Sequence, residues 1–362
     1  MAVIQSIGLH VPGHKTSAVE IVEWAGRVYG QSDQLRKFRF IVARSGIENR
    51  FSVVPDFREQ SPNGLFSLNG KFENPRTSDR MTVFQNEIIE LAKGASEKTI
   101  ASAGIDPTEV THLIAVSCTG LGAPGLEVGL GEALGLGQST ERLAVNFMGC
   151  YAAFPALRMG HYICSTDPSA KVLICCAETC TLHFRKTDFS DDLLTTALFG
   201  DGAASVLMTA DGSNDPVRME WLGHSSVLVP APDEMSWKVG DFGFEMNLTQ
   251  EVPAFIEKHI SGVYDALLQK TGRDKVDYFA VHPGGKNILE GFARALELTD
   301  EEMAPSFNVL RRYGNMSSPT VLFVLEDIRR AFMESDKDRA LVFAAAFGPG
   351  LTIEAAILEM TK

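Results

Sequence analysis

The chain has 362 residues, 45% of them hydrophobic and 22% charged, with 32 glycines and 16 prolines. That balance belongs to a globular protein with enough chain for two domains or one large two-part fold, and it excludes disordered, collagenous and small repeat classes. With 33 Lys and Arg against 46 Asp and Glu, the net charge is −13, so the surface as a whole repels phosphate backbones and anionic lipid, and no nucleic-acid partner is expected.

The opening MAVIQSIGLHVPGHK lacks a basic region followed by a long apolar run, which predicts a cytoplasmic protein. Residues 3–7 read as a strand and 17–29 as a helix. LRKFRFIVARSGIENR follows, with Arg36, Lys37, Arg39, Arg44 and Arg50 against Glu48. The expectation is a solvated helix face, the alternative a site for the phosphates of CoA or a nucleotide. Met81, Phe84, Ile88, Leu91 and Ala95 recur at helical spacing and predict a helix over 80–103, capped by Ser78 and ended by Gly104. Next, HLIAVSC reads as a strand leading into GLGAPG at 120–125, a G-x-G-x-x-G sequence ahead of a helix-like run, with Glu141 downstream. This is a dinucleotide-binding pattern, weakened by Pro124, which stiffens the loop where a phosphate-binding helix should open. Serine-hydrolase and P-loop motifs are absent.

The six cysteines at 118, 150, 164, 175, 176 and 180 include no C-x-x-C, so neither disulfides nor a metal is expected. Cys175 and Cys176 lie in the apolar run KVLICCAE and are expected in the core. The turn-rich stretch 209–219 divides the chain into 1–212 and 213–362. Near the end, ALVFAAAFGPGLTI is cut by Gly348-Pro349-Gly350, too short to span a bilayer and expected as strand, turn, strand.

The two parts share one order of elements. VTHLIAVSCTG, a helix, LAVNFMGC ending at Cys150, a helix of small residues and the strand KVLICCAE match VDYFAVHPGG, a helix, RRYGN ending at Asn315, a helix and the strand RALVFAAAF. The spacings are 40 residues from Val110 to Cys150 and 39 from Val276 to Asn315. Under pseudo-twofold symmetry, Cys150 and Asn315 hold equivalent helix N-termini and His282 ends a strand beside them. A cysteine at a helix start is expected to have a lowered thiol pKa. Each residue alone has a plain explanation: a core cysteine, a satisfied core histidine, a helix cap. Together they supply a nucleophile, a base or donor and an amide donor, suited to acyl transfer through an oxyanion.

NFMGCYAAFPALR, ALFGDGAAS, AVHPGG, YGNMSSPTVLFVLE and AFGPGLTIE, in this order, resemble the chalcone and stilbene synthase family, the type III polyketide synthases, over nearly the whole chain. β-Ketoacyl-ACP synthase III shares the Cys, His, Asn order and is the nearer alternative, a dinucleotide oxidoreductase the more distant one. The resemblance implies an α/β thiolase fold, five-layered αβαβα in two similar halves, and a homodimer without membrane insertion. It implies an acyl-CoA starter loaded on Cys150, with His282 and Asn315 decarboxylating malonyl-CoA and holding the enolate. Iterated condensation and cyclisation to a pyrone, resorcinol or related product would follow, with CoA thioesters as substrates and no cofactor. Phe199 matches an aromatic gate, and the second gate position falls on Met246, with Phe244 two residues away. Cys118 and His183 stand where plant members carry threonine, Ala123 where they carry a methionine that reaches the neighbouring subunit. Trp237 falls on a pocket glycine, Ser317 keeps a cavity-floor serine, and Lys37 and Arg44 match CoA-phosphate contacts.

Overall fold

The computed structural model describes residues 2–58, 64–68, 72–187, 190–210, 216–230, 234–249 and 251–362. Strand β1 (Val3–His10) opens with six buried residues, as a strand covered on both faces must. A ribbon of β2 (His14–Ser17) and β3 (Asn49–Ser52) brackets helices α1 (Ala18–Tyr29) and α2 (Asp33–Arg44). Ser17 caps α1: its hydroxyl accepts from the Glu20 N–H while the Glu20 carboxylate accepts from the Ser17 N–H, a reciprocal box that sets the helix start. The long predicted helix is α3 (Thr77–Ala103). Its cap is Arg76 rather than Ser78, because the Asp79 carboxylate accepts from the Arg76 N–H at 2.8 Å. It ends at Gly104, whose φ of +66° forms a left-handed cap that glycine adopts without strain.

The first half continues through β4 (His112–Ser117), α4 (Leu126–Leu134), β5 (Glu141–Asn146), α5 (Ala153–Thr166), β6 (Lys171–Thr179), α6 (Ser190–Leu198) and β7 (Asp201–Thr209). The second runs β8 (Arg218–Leu228), the ribbon β9 (Met235–Gly240) and β10 (Gly243–Leu248), α7 (Val252–Thr271), β11 (Tyr278–Val281), α8 (Lys286–Ala295), α9 (Asp300–Tyr313), α10 (Thr320–Glu334), β12 (Arg339–Gly348) and β13 (Thr352–Thr361). The expected boundary stretch 209–219 runs from the last residue of β7 to the start of β8, and its residues 211–215 lie outside the described residues.

The main sheet has the order β11-β12-β13-β8-β1-β7-β6-β4-β5. From its middle outward, β1-β7-β6-β4 and β8-β13-β12-β11 repeat one pattern. β7 is antiparallel to β1 and β6, β13 is antiparallel to β8 and β12, and β4/β6 and β11/β12 are parallel. Within the main sheet the halves pair where Val3 and Ile4 meet Glu220 and Met219, so the strands form two sheets sharing a two-residue seam. Helices α5 and α10 each touch strands of both halves; α3 covers the outer face of the first and α7 that of the second. The result is five layers, αβαβα, with the largest apolar cluster around α5 and α10 in the middle. The internal repeat is therefore real, with one difference: β5 in the first half is replaced by α9 in the second, and RRY belongs to the last turn of α9. Cys175 and Cys176 are fully buried in β6, as expected. None of the described helices is long and apolar enough to cross a membrane.

Candidate active site

Cys150 sits in the turn between β5 and α5, three residues before the first helical residue. Gly149 makes the turn possible. Its φ is +81°, and a Cβ there would meet the Pro349 ring at 2.4 Å, so only glycine lets this backbone pass under the β12–β13 turn. That turn is the Gly348-Pro349-Gly350 segment, with strands on either side as the sequence predicts. The two halves thus meet at the cysteine. Cys150 is 7% exposed and packs against Cys180 and Phe199, with Met246 beside them.

Asn315 follows α9 after Gly314, and α10 starts only at Thr320 with Pro319 in the cap position. Asn315 is therefore not a helix cap and does not hold a helix N-terminus equivalent to that at Cys150; it lies in the extended segment before α10. There it pairs with Phe199 in a parallel bridge. Its N–H donates to the Leu198 carbonyl and its carbonyl accepts from the Gly200 N–H, both at 2.9 Å. The Ser317 N–H donates to Asn315 Oδ1 at 2.8 Å, which turns Nδ2 toward the Gly284 carbonyl (3.2 Å) and Cys150 Sγ (4.0 Å). His282 comes directly after β11, its N–H still donating to the Ala345 carbonyl at 2.8 Å. Its ring is 1% exposed, and neither nitrogen has a hydrogen-bond partner among the described residues. Gly284, which accepts from Asn315, lies against the imidazole: a Cβ there would be 3.8 Å from Nε2. Cys150 and Asn315 are thus side by side, and His282 is tied to them through Gly284.

The charge states differ from the sequence expectation. Burial pushes the Cys150 thiol up to about 11, with Glu178 adding to the rise; the Ser317 hydroxyl and Asn315 amide pull the other way and do not overcome it. The helix start does not produce a resting thiolate, because loss of solvent outweighs the positive end of a helix beginning three residues later. Burial also pushes His282 down to about 3. A neutral thiol and a neutral imidazole face the site.

Glu178, near the end of β6, escaped sequence reasoning. It is fully buried, and its carboxylate accepts from the Cys118 N–H (2.8 Å), the Thr119 hydroxyl (2.8 Å), the Ser318 hydroxyl (2.5 Å) and the Cys118 thiol (3.2 Å). Cys118 Sγ in turn accepts from the Gly149 N–H at 3.2 Å, so Glu178 fixes the backbone beside Cys150 through Cys118. Burial raises its carboxyl pKa against the pull of these donors. The signal available was a lone acid ending the apolar run KVLICCAE.

The other expected pocket residues divide clearly. A water-accessible cavity of about 20 Å³ at Cys150 is lined by Cys118, Phe199, Trp237, Met246 and Ser317 among others. A second, of about 30 Å³, shares Cys180, Phe199, Trp237 and Met246 and adds His183, Phe244 and Arg50. His183 stacks on Phe244 with ring centroids 4.0 Å apart. Its Nε2 donates to the Thr119 carbonyl at 2.7 Å while Nδ1 accepts from the Phe244 N–H at 3.1 Å. Trp237 stands edge-on to both rings, its indole N–H donating to the Cys118 carbonyl at 3.2 Å. Met246, the expected second gate, does reach the chamber. Ala123 is exposed on the loop after β4, away from these walls.

Arg44 lines an outer cavity of about 550 Å³ together with Phe40 and Lys286, and this cavity ends at Gly284 beside Asn315 and His282. Lys37 is exposed on the same helix but is not among the lining residues, whereas Lys286 was not anticipated. Of the basic cluster, Arg50 departs from the expected solvated helix face: it lies on β3 and is 5% exposed. GLGAPG does join a strand to a helix, so local pattern alone could not discard a nucleotide loop.

The chain matches chalcone and stilbene synthases, through the N-terminal domain over residues 1–212 and the C-terminal domain over residues 224–361. It is 28% identical over 373 residues to the alpha-pyrone synthesis polyketide synthase-like Pks18 of Mycobacterium tuberculosis, covering 100% of this chain and 92% of that protein. It is 30% identical over 337 residues to polyketide synthase 37 of Dictyostelium discoideum, covering 89% of this chain but only 11% of that protein's length. The crystal structure of the C-terminal type III polyketide synthase domain of Steely1, a type I/III hybrid from Dictyostelium, superposes with a TM-score of 0.89 at 26% identity, covering 100% of this chain and 99% of that one. These matches set aside both alternatives left by the sequence, the acyl-carrier-dependent relative and the dinucleotide oxidoreductase. With motifs, five-layered fold and both halves in agreement, the chain belongs to the chalcone and stilbene synthase family and is a type III polyketide synthase, a condensing acyltransferase.

Proposed function

We propose that Cys150 takes an acyl group from an acyl-CoA starter and that His282 and Asn315 then drive its extension with malonyl-CoA. The observation that carries this is the approach of Asn315 Nδ2 to Cys150 Sγ at 4.0 Å, beside a buried imidazole whose two nitrogens have no partner among the described residues. Buried polar groups are normally paired, so an unpaired ring packed against Gly284, which the outer cavity reaches, is suited to a substrate partner. Because the thiol is protonated at rest, loading proceeds with proton transfer: sulfur attacks the starter carbonyl, the imidazole takes the thiol proton, and CoA leaves with it. Malonyl-CoA then loses CO₂, and the electron pair of the broken C–C bond becomes an enolate. The Asn315 amide and a His282 N–H donate to its oxygen. The enolate carbon attacks the Cys150 thioester, forming the new C–C bond and freeing the sulfur.

The outer cavity holds the CoA portion, with Arg44 and Lys286 for its phosphates and Lys37 at longer range. Phe199, Met246, Cys118, His183 and Ser317 shape the inner space where the chain grows and cyclises. That space is small, which fits a short product such as a pyrone or resorcinol; alpha-pyrone synthesis is what the name of the mycobacterial relative records. The enzyme acts as a homodimer. β5 ends the sheet with its residues mostly exposed, Leu143 at 41%, an unpaired edge suited to pairing with a second copy, and Ala123 lies on the exposed loop nearby. CoA thioesters and six free cysteines suit a reducing cytoplasm. The site is tested by intact mass after incubation with acyl-CoA starters. Wild type should gain one acyl group and Cys150→Ala none, at unchanged melting temperature; an adduct on the alanine variant would remove Cys150 from the mechanism.

A further inference from the structure

Arg50 is the one buried member of the basic cluster, and it does not line the outer cavity. It sits opposite Thr16 in the β2–β3 ribbon, and both side chains line the cavity on the far side of Phe199 from Cys150. One guanidinium nitrogen, Nη1, donates to the Thr196 and Phe199 carbonyls at the end of α6. Among the described residues Nε and Nη2 make no hydrogen bond, and no carboxylate pairs with the charge. Burial alone pushes its pKa down to about 10, still far above neutrality, so the cation persists. The other buried arginine of this region differs. Arg80 bonds the Pro75, Leu182 and Phe184 carbonyls through Nε and Nη1 and is covered by the Phe66 ring, its Cζ 5.4 Å from the ring centroid, with Nη2 sealed in and unpaired among the described residues. Arg50 instead opens on empty space. A buried cation without a counter-ion is costly, and an anion entering that space relieves the cost.

We propose that Arg50 is a carboxylate subsite, and that the starter is an acyl-CoA with a carboxylate at its far end, the half-thioester of a dicarboxylic acid. This rests on the synthase function proposed above. The cavity beside Arg50 and the chamber at Cys150 share Cys180, Phe199, Trp237 and Met246 as their common wall. A chain bound to Cys150 that threads this wall brings its end to the guanidinium. The water-accessible volume there, about 30 Å³, holds about two waters or one carboxylate group. Bidentate pairing to the free nitrogens would complete the guanidinium's bonds.

The test compares succinyl-, glutaryl- and adipyl-CoA with their terminal methyl esters, each with malonyl-CoA, scoring kcat/KM from CoA release. The best acid should exceed its ester at least tenfold, chiefly through KM, and in Arg50→Gln the ratio should fall to near one, with partial recovery in Arg50→Lys. No acid preference in the wild type, or the same preference in a folded Arg50→Gln, overturns the subsite. Release of CoA from none of the starters tested, hexanoyl-CoA included, would instead strike at the synthase function itself. If Arg50→Gln does not fold, the wild type decides: glutarate, but not dimethyl glutarate, must slow alkylation of Cys150 and raise the melting temperature. Equal effects from both compounds, or from neither, overturn the proposal.

Discussion

Replacing Trp237 by alanine should lengthen the product, and the amount can be worked from the structure. The indole stands between water-accessible volumes of about 20 Å³ at Cys150 and 30 Å³ beyond. Removing its nine heavy atoms beyond Cβ frees on the order of 150 Å³ at interior packing density, and a two-carbon ketide unit with its oxygen occupies about 50 Å³ on the same basis, so the opened space admits up to about three more units. The side chain also has a structural share. It meets His183, Phe244 and Phe199 edge-on at centroid distances of 5.8, 5.9 and 6.4 Å and donates to the Cys118 carbonyl. A fully buried Trp→Ala change costs about 3–5 kcal/mol; Trp237 is half-buried on a two-stranded ribbon, so about half of that is expected. The assay is mass spectrometry of products from one starter with excess malonyl-CoA, alongside denaturant unfolding. A folded Trp237→Ala enzyme that stops at the wild-type chain length would refute the claim that the indole bounds the growing chain.

His282 gives a pH signature separate from catalysis. Its imidazole titrates near 6.5 when exposed and near 3 when buried here, so between these pH values the unfolded chain holds a proton that the folded chain lacks. Its contribution is therefore intact above pH 6.5 and is lost as pH falls, by up to about 1.4 kcal/mol per pH unit. His282→Gln should flatten the stability curve between pH 6 and 4 by up to that slope while abolishing malonyl-CoA decarboxylation; parallel curves would show that the ring is not sealed. Glu178→Gln places an amide NH₂ against groups that all donate, so it should cost about 2–4 kcal/mol in denaturant unfolding and loosen Cys118 beside Cys150. A change below about 0.5 kcal/mol would mean that the cluster does not depend on the carboxylate.

Much of the fold was open to reading because it rests on local rules. Helical spacing and a terminal glycine mark α3, and a Gly-Pro-Gly break between apolar runs marks the β12–β13 turn. A repeated order of elements at nearly equal spacing was enough to pair the two halves and to bring Cys150, His282 and Asn315 toward one place. The Asn315 cap and the solvated Arg50 failed for a shared reason. Each was judged from its neighbours in the chain, whereas its partners, Phe199 and Gly284 for one and the α6 carbonyls for the other, are distant in sequence.

The tertiary structure decided what depends on burial and on contacts across the halves. The Cys150 thiol is raised rather than lowered because the β12–β13 turn and the Phe199 wall remove solvent, and desolvation outweighs the partial charge of a helix end. The chamber is narrow because the β9–β10 ribbon lays Trp237 and Phe244 against His183, a meeting that no spacing rule encodes. Residue types and their order determined which chemistry the chain can perform. Folding determined how protonated, how enclosed and how large the place is where it performs it, since dielectric and volume are set by everything that packs around a group.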